Sequence, residues 1–130
     1  MSNSNFNLRN VFLVNALVDL IFALALLIGP ETVLRLLRLS SDNPVIFMAR
    51  LFGGSLVGLG LLAWFARDFA DLKARDGAAI SLFLMSVLAF IVTLLATVAG
   101  WLRVAGWPIV LIFLAFTLSY GYLQFVRRGE

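Results

Sequence analysis

The chain has 130 residues, 62% of them hydrophobic and only 13% charged, with a mean hydropathy of +1.03 and a formal net charge of +3. That composition excludes an ordinary water-soluble domain and makes lipid the solvent for most of the surface. Cysteine and histidine are both absent, which excludes disulfides, thiol chemistry, the usual zinc and haem ligation, and the one side chain whose reference pKa lies near neutrality.

The first apolar segment covers residues 8–28, close to the ~20 residues needed to cross ~30 Å of hydrocarbon. It reads as a retained span rather than a cleaved signal, because the stretch is long and its Ala-Leu-Ala, Ala23–Ala25, lies inside it. Next comes Gly29-Pro30, then Glu31, Val33, Leu34, Arg35, Leu37 and Arg38 at helical spacing. This pattern predicts a short amphipathic helix over about 30–39, lying on the membrane surface. Ser40, Ser41, Asp42 and Asn43 form a turn cluster, and Pro44 opens the second span, residues 44–66.

A charged stretch, Arg67–Gly77, predicts a solvated loop or a single helical turn before the third span at 78–100. A tight connection leads to the fourth span at 106–126. The fold expected is therefore all-α: a polytopic membrane protein, one transmembrane domain of four helices with an interfacial helix between the first and second. Arg9, Arg67, Lys73, Arg75, Arg127 and Arg128 fall on one side, against Arg35, Arg38 and Arg103 on the other. Six against three predicts a cytoplasmic (inner) membrane protein with both termini in the cytoplasm. Trp101 and Trp107 then mark the outer interface, and Trp64, Tyr120 and Tyr122 the inner one. The positive charge is dispersed, without a basic tract, so no nucleic-acid partner is expected.

Polar residues inside the spans are the candidate site. A charge at the bilayer centre costs ~2.5–3.5 kcal/mol on insertion scales, so each needs a partner, a route to the interface, or a use. Asp19 lies near the middle of the first span, and Asn15, four residues earlier, shares its face. Arg50 enters the second span ~8–9 Å below its outer end. Three readings of Asp19 and Arg50 stand side by side: an interhelical ion pair setting the register of the first two spans, the ligand or proton site of a small cavity, or an arginine that snorkels to phosphates while Asp19 stays protonated.

Gly53, Gly54, Gly58 and Gly60 make the second span the expected packing helix, with Gly54 and Gly58 at the GxxxG spacing that lets two backbones approach. Ser86 and Thr93 on the third span and Thr117, Tyr120 and Gln124 on the fourth form small, weakly polar stripes, read first as helix packing and second as cavity lining. There is no phosphate loop, no Gly-x-Ser-x-Gly and no carboxylate cluster with metal spacing. Neither an enzyme nor a cofactor is therefore expected.

The segments ALLIGPETVLRLLRL (Ala25–Leu39) and ARLFGGSLVGLGLLAW (Ala49–Trp64) resemble the DoxX-like assemblage of small four-helix bacterial membrane proteins, through Gly29-Pro30 and the Arg50, Gly53, Gly54 pattern. The resemblance implies an accessory or assembly role and supplies no catalytic residue. Together these readings give a non-catalytic accessory, scaffold or lipid-binding protein whose partners are membrane lipids and another membrane protein or a second copy of itself. The alternative is a small dimeric proton-coupled transporter with Asp19 as its proton and substrate site. The glycine-threonine and leucine-lysine signature of small multidrug exporters is absent around Asp19.

Overall fold

The computed structural model describes residues 6–102 and 104–126; Arg103, Arg127 and Arg128 of the charge count lie outside them. The chain is all-helical: α1 (Leu8–Ile28), α2 (Pro30–Leu36), α3 (Asn43–Ala66), α4 (Leu72–Val98) and α5 (Gly106–Gly121), the last continued by a π-helical turn, Tyr122–Val126. Four segments are long and apolar enough to cross a membrane: α1, α3, α4 and α5 with its π turn. The chain is a multi-pass membrane protein.

Local chemistry sets the boundaries. Asn7 caps α1, its side chain accepting from the backbone N–H of Asn10 at 3.0 Å. Pro30 sits in the first turn of α2 and is buried, as is Leu34, while Glu31 and Arg35 face outward, so this helix is amphipathic as its spacing predicts. α2 is shorter than the predicted 30–39, because the chain turns at Arg38. There the N–H of Leu39 donates to the carbonyl of Leu34 and that of Arg38 to Arg35, the paired bonds of a Schellman cap. The same closure ends α4, where Gly100 takes φ +89°. At Arg38, however, φ is +61° on a residue with a Cβ, which costs ~1–2 kcal/mol. Arg38→Gly is expected to raise stability by about 0.5–1 kcal/mol once the extra freedom of glycine in the unfolded chain is set against the relief, read as a higher midpoint in detergent unfolding.

The third span starts earlier than hydropathy indicates. Asp71 caps it, accepting from the N–H of Lys73 at 3.2 Å, so Leu72–Gly77 forms the opening turns of α4 rather than a loop or a separate single turn. At the same end of the molecule the exposed Arg9 of α1 pairs with Asp68, and the guanidinium of Arg67 lies 3.9 Å above the Trp64 ring.

Packing is uneven. The most extensive helix contacts are α1 with α3 and α4 with α5. α1 and α3 run antiparallel and meet at two glycines. A methyl group added at Gly60 would stand 2.9 Å from Cγ of Leu20 and 3.3 Å from Cβ of Asp19; one at Gly53 would stand 3.0 Å from Cβ of Leu26. In lipid, where apolar burial gives helices no advantage over solvent, such close approach supplies the dispersion that holds them. Gly54 and Gly58 do the opposite of what their spacing predicts: both are exposed, with no atom within 4 Å of an added Cβ. The face of α3 that docks is the one carrying Gly53, Leu56 and Gly60.

The principal core lies toward the end of the bundle that holds the starts of α1 and α4 and the π turn, and all four spans contribute: Phe12 and Ala16 from α1, Ala63 and Ala66 from α3, Ala79 and Leu82 from α4, Phe116 and Tyr120 from α5. Toward the opposite end, the second buried cluster among the described residues takes its buried side chains, Ala23, Leu26 and Leu56, from α1 and α3, with Val33 of α2 packed against them. The two helix pairs are thus joined at one end and part toward the other.

Candidate functional site

Asn15 and Asp19 are one helical turn apart on the face of α1 that looks into the bundle, and both are buried, at 4% and 7% exposure. Opposite them stands Tyr120 of α5, fully buried, its ring 5.8 Å from that of Phe12 and 6.4 Å from that of Phe116. Of the two orientations of the Asn15 amide, one satisfies both neighbours. In it, Nδ2 donates to Asp19 Oδ2 at 2.9 Å and to Oδ1 at 3.2 Å, while Oδ1 accepts from the Tyr120 hydroxyl at 2.7 Å. The result is a polar clasp, Tyr120 to Asn15 to Asp19, joining α5 of one helix pair to α1 of the other within the hydrophobic layer.

The clasp corrects two expectations. Tyr120 is a core residue and not an interface anchor, unlike the more exposed Trp64, Trp101, Trp107 and Tyr122. Asp19 does not pair with Arg50: Arg50 is exposed, and the ion pairs among the described residues are Arg9–Asp68 and Arg67–Asp68. The register explains why. Asp19 lies beside Gly60, ten residues along α3 from Arg50 and roughly 15 Å away along the axis at ~1.5 Å per residue. Arg50 sits at the end of the bundle away from the clasp.

The polar stripe continues along α5. Thr117 and Gln124 flank Tyr120 at helical spacing, and Thr117 Oγ1 and Gln124 Nε2 are buried without a hydrogen-bond partner among the described residues. Ser86 is buried on α4, and Thr93, half-buried, offers its carbonyl to Thr97 Oγ1 at 2.8 Å. So Asn15, Asp19 and Tyr120 come together, Thr117 and Gln124 extend their stripe, and Arg50, Gly54 and Gly58 stand apart.

Two cavities bracket the clasp. Where the helix pairs part, an open cleft of about 370 Å³ is lined by Phe52 of α3, by Met85, Ala89 and Thr93 of α4, and by Ile109 and Phe113 of α5; Thr93 is the sole hydroxyl on its wall among the described residues. At the other end, near the start of α1, a pocket of about 400 Å³ is lined by Asn7, Leu8, Leu72, Arg75, Asp76, Leu123 and Gln124. Thr93 and Gln124 are among the residues that the sequence offers as cavity lining, while the apolar walls carry no such signal. Apolar residues facing a cleft have the same chemistry as those facing lipid, and Arg75 and Asp76 belong to a charged stretch that reads as a solvated loop or a single helical turn. Among the described residues no group of three His, Cys, Asp or Glu could hold a metal ion.

The family described as Domain of unknown function (DUF8292) matches residues 1–126. The chain belongs to that family. The DUF8292 match spans all four transmembrane segments and the interfacial helix, and it makes no link to DoxX-like proteins. No curated protein and no solved structure matches the chain.

Proposed function

We propose that this chain is a non-catalytic, lipid-binding accessory protein of the cytoplasmic membrane, with both termini in the cytoplasm. One observation carries the reading: the apolar cleft between α3 and the α4–α5 pair, open at bilayer depth. Its volume accommodates roughly a dozen methylene-sized groups if each takes about 30 Å³, a water molecule's share of the liquid. A single acyl chain is the occupant that the surrounding solvent supplies. Among the described residues the cleft's walls offer shape and apolar surface, with the Thr93 hydroxyl as their one polar side-chain group.

Ala89→Phe, which fills the cleft from α4, is expected to reduce cross-linking by a phospholipid carrying a photoreactive acyl chain about tenfold, the effect of losing ~1.4 kcal/mol of binding. Equal labelling of the variant and the parent chain would refute the cleft as a lipid site. Orientation is tested by introduced cysteines, since the chain has none. Ala70→Cys is expected to react with an impermeant maleimide only from the cytoplasmic side, and Ser41→Cys only from the opposite side.

A second reading, the dimeric proton-coupled transporter, draws on the burial of Asp19 near the middle of α1. Under it, substrate movement into reconstituted vesicles carries protons and Asp19→Asn abolishes both. Under the lipid-binding reading, Asp19→Asn leaves acyl-chain labelling in place.

A further inference from the structure

The pocket at the end away from the cleft has a different chemistry. Its walls are the starts of two helices, Asn7 and Leu8 of α1 and Leu72, Arg75 and Asp76 of α4, together with Leu123 and Gln124 of the π turn. Three features favour a negative group here. α1 and α4 both begin at the pocket and bring the positive ends of two helix dipoles to it, with uncharged Asn7 capping α1 and Asp71 offsetting part of the field of α4. Arg75 adds a full positive charge with the fork geometry that suits phosphate oxygens. Gln124, at 2% exposure, lines the pocket while its Nε2 has no hydrogen-bond partner among the described residues, leaving a buried donor whose desolvation nothing described in the chain offsets. Leucines at positions 8, 72 and 123 supply an apolar collar beside these polar groups, the pairing a lipid presents where head meets chain.

We infer that this pocket binds the phosphate of a zwitterionic phospholipid headgroup, with Arg75 and Gln124 as its donors. The Asp76 carboxylate on the same wall disfavours a second negative charge on the headgroup, so a zwitterionic lipid such as phosphatidylethanolamine suits the pocket better than an anionic one. The inference shares with the proposed function the premise that lipid surrounds the chain, but it concerns other residues, at the opposite end of the bundle from the cleft.

Native mass spectrometry of the full-length protein, offered equal phosphatidylethanolamine and phosphatidylglycerol, tests it. The parent chain is expected to retain phosphatidylethanolamine in preference, and Gln124→Leu and Arg75→Gln each to lower that retention about tenfold, the effect of losing one charge-assisted hydrogen bond. Asp76→Asn is expected to move the preference toward phosphatidylglycerol. Gln124→Leu removes an unpartnered polar group, so its thermal midpoint should equal or exceed that of the parent chain; if it fails to fold, Arg75→Gln, at a half-exposed position, carries the test. Ala89→Phe is expected to leave the headgroup preference unchanged, so that failure at the cleft and failure at this pocket are told apart. Undiminished retention by both Gln124→Leu and Arg75→Gln, or preference of the parent chain for phosphatidylglycerol, would overturn the inference. Displacement of the lipid by millimolar inorganic phosphate would overturn the lipid as the source and assign the pocket to the free ion.

Discussion

Gly60→Leu is expected to destabilise the chain by about 3 kcal/mol or more, whereas Gly54→Leu, six residues away on the same helix, is expected to change stability by less than about 0.5 kcal/mol. The contrast follows from what each side chain would meet. At Gly60 the first added carbon already falls within 3.3 Å of Leu20 and Asp19, so a leucine must push α1 away from α3 along their whole contact. The aspartate it displaces is the one that Asn15 holds, so the polar clasp is lost together with the packing. At Gly54 the added carbons enter empty space on an exposed face, where hydrocarbon accepts them. Unfolding midpoints of the two variants in mixed micelles, followed by helical circular dichroism, are the comparison to make. A larger loss at Gly54 than at Gly60 would mean that α3 docks through the other glycine pair.

Asn15→Leu is expected to have the next largest effect, about 2–3 kcal/mol. A single amide serves two buried groups, and its loss strands both the Asp19 carboxyl and the Tyr120 hydroxyl, each at ~1–3 kcal/mol, inside a layer where water is scarce. Partners formed in the unfolded, membrane-inserted chain return some of that cost, which is why the expected sum falls below the two full penalties. Replacing all three members, Asn15→Leu with Asp19→Leu and Tyr120→Phe, removes the stranded groups and is expected to recover much of the loss. Arg50→Leu is expected to change stability by less than about 0.5 kcal/mol, because Arg50 is exposed and far along α3 from the clasp. A loss at Arg50→Leu as large as that at Asn15→Leu would revive the ion pair.

The spans were legible because the energetic cost of exposing polar groups to hydrocarbon is written directly into composition: each stretch of about twenty predominantly apolar residues forms a helix long enough to cross, and the start and end of α1 fall where hydropathy places them. The start of α4 was hidden for the same reason. Lys73, Arg75 and Asp76 are as compatible with a helix protruding from the membrane as with a loop, and only the Asp71 cap distinguishes the two. Within the site, Asn15 and Asp19 could be paired from their four-residue spacing alone, since both sit on one helix. Their partner could not be chosen that way. Arg50 was attractive by charge, but contact between helices depends on register, and two glycine pairs on α3 offered two incompatible docking faces. The spacing rule favours Gly54 and Gly58, while the complementary surface of α1 at Leu20, Ala23 and Leu26 selects Gly53 and Gly60. Tyr120 was visible as a polar aromatic near a helix end, a position that suits an interface anchor equally well. Its burial follows from the π turn and the docking of α5, neither of which has a sequence signal of its own.

A double-mutant cycle between Asn15→Leu and Tyr120→Phe bears on the clasp without intermediaries, because the two positions are 105 residues apart in sequence and touch only if α1 and α5 meet as described. A coupling energy of about 0.6–1.7 kcal/mol, the range for hydrogen bonds between transmembrane helices, is expected. A coupling indistinguishable from zero, together with a measurable one between Asp19→Leu and Arg50→Leu, would contradict the polar clasp and restore the charge pair in its place.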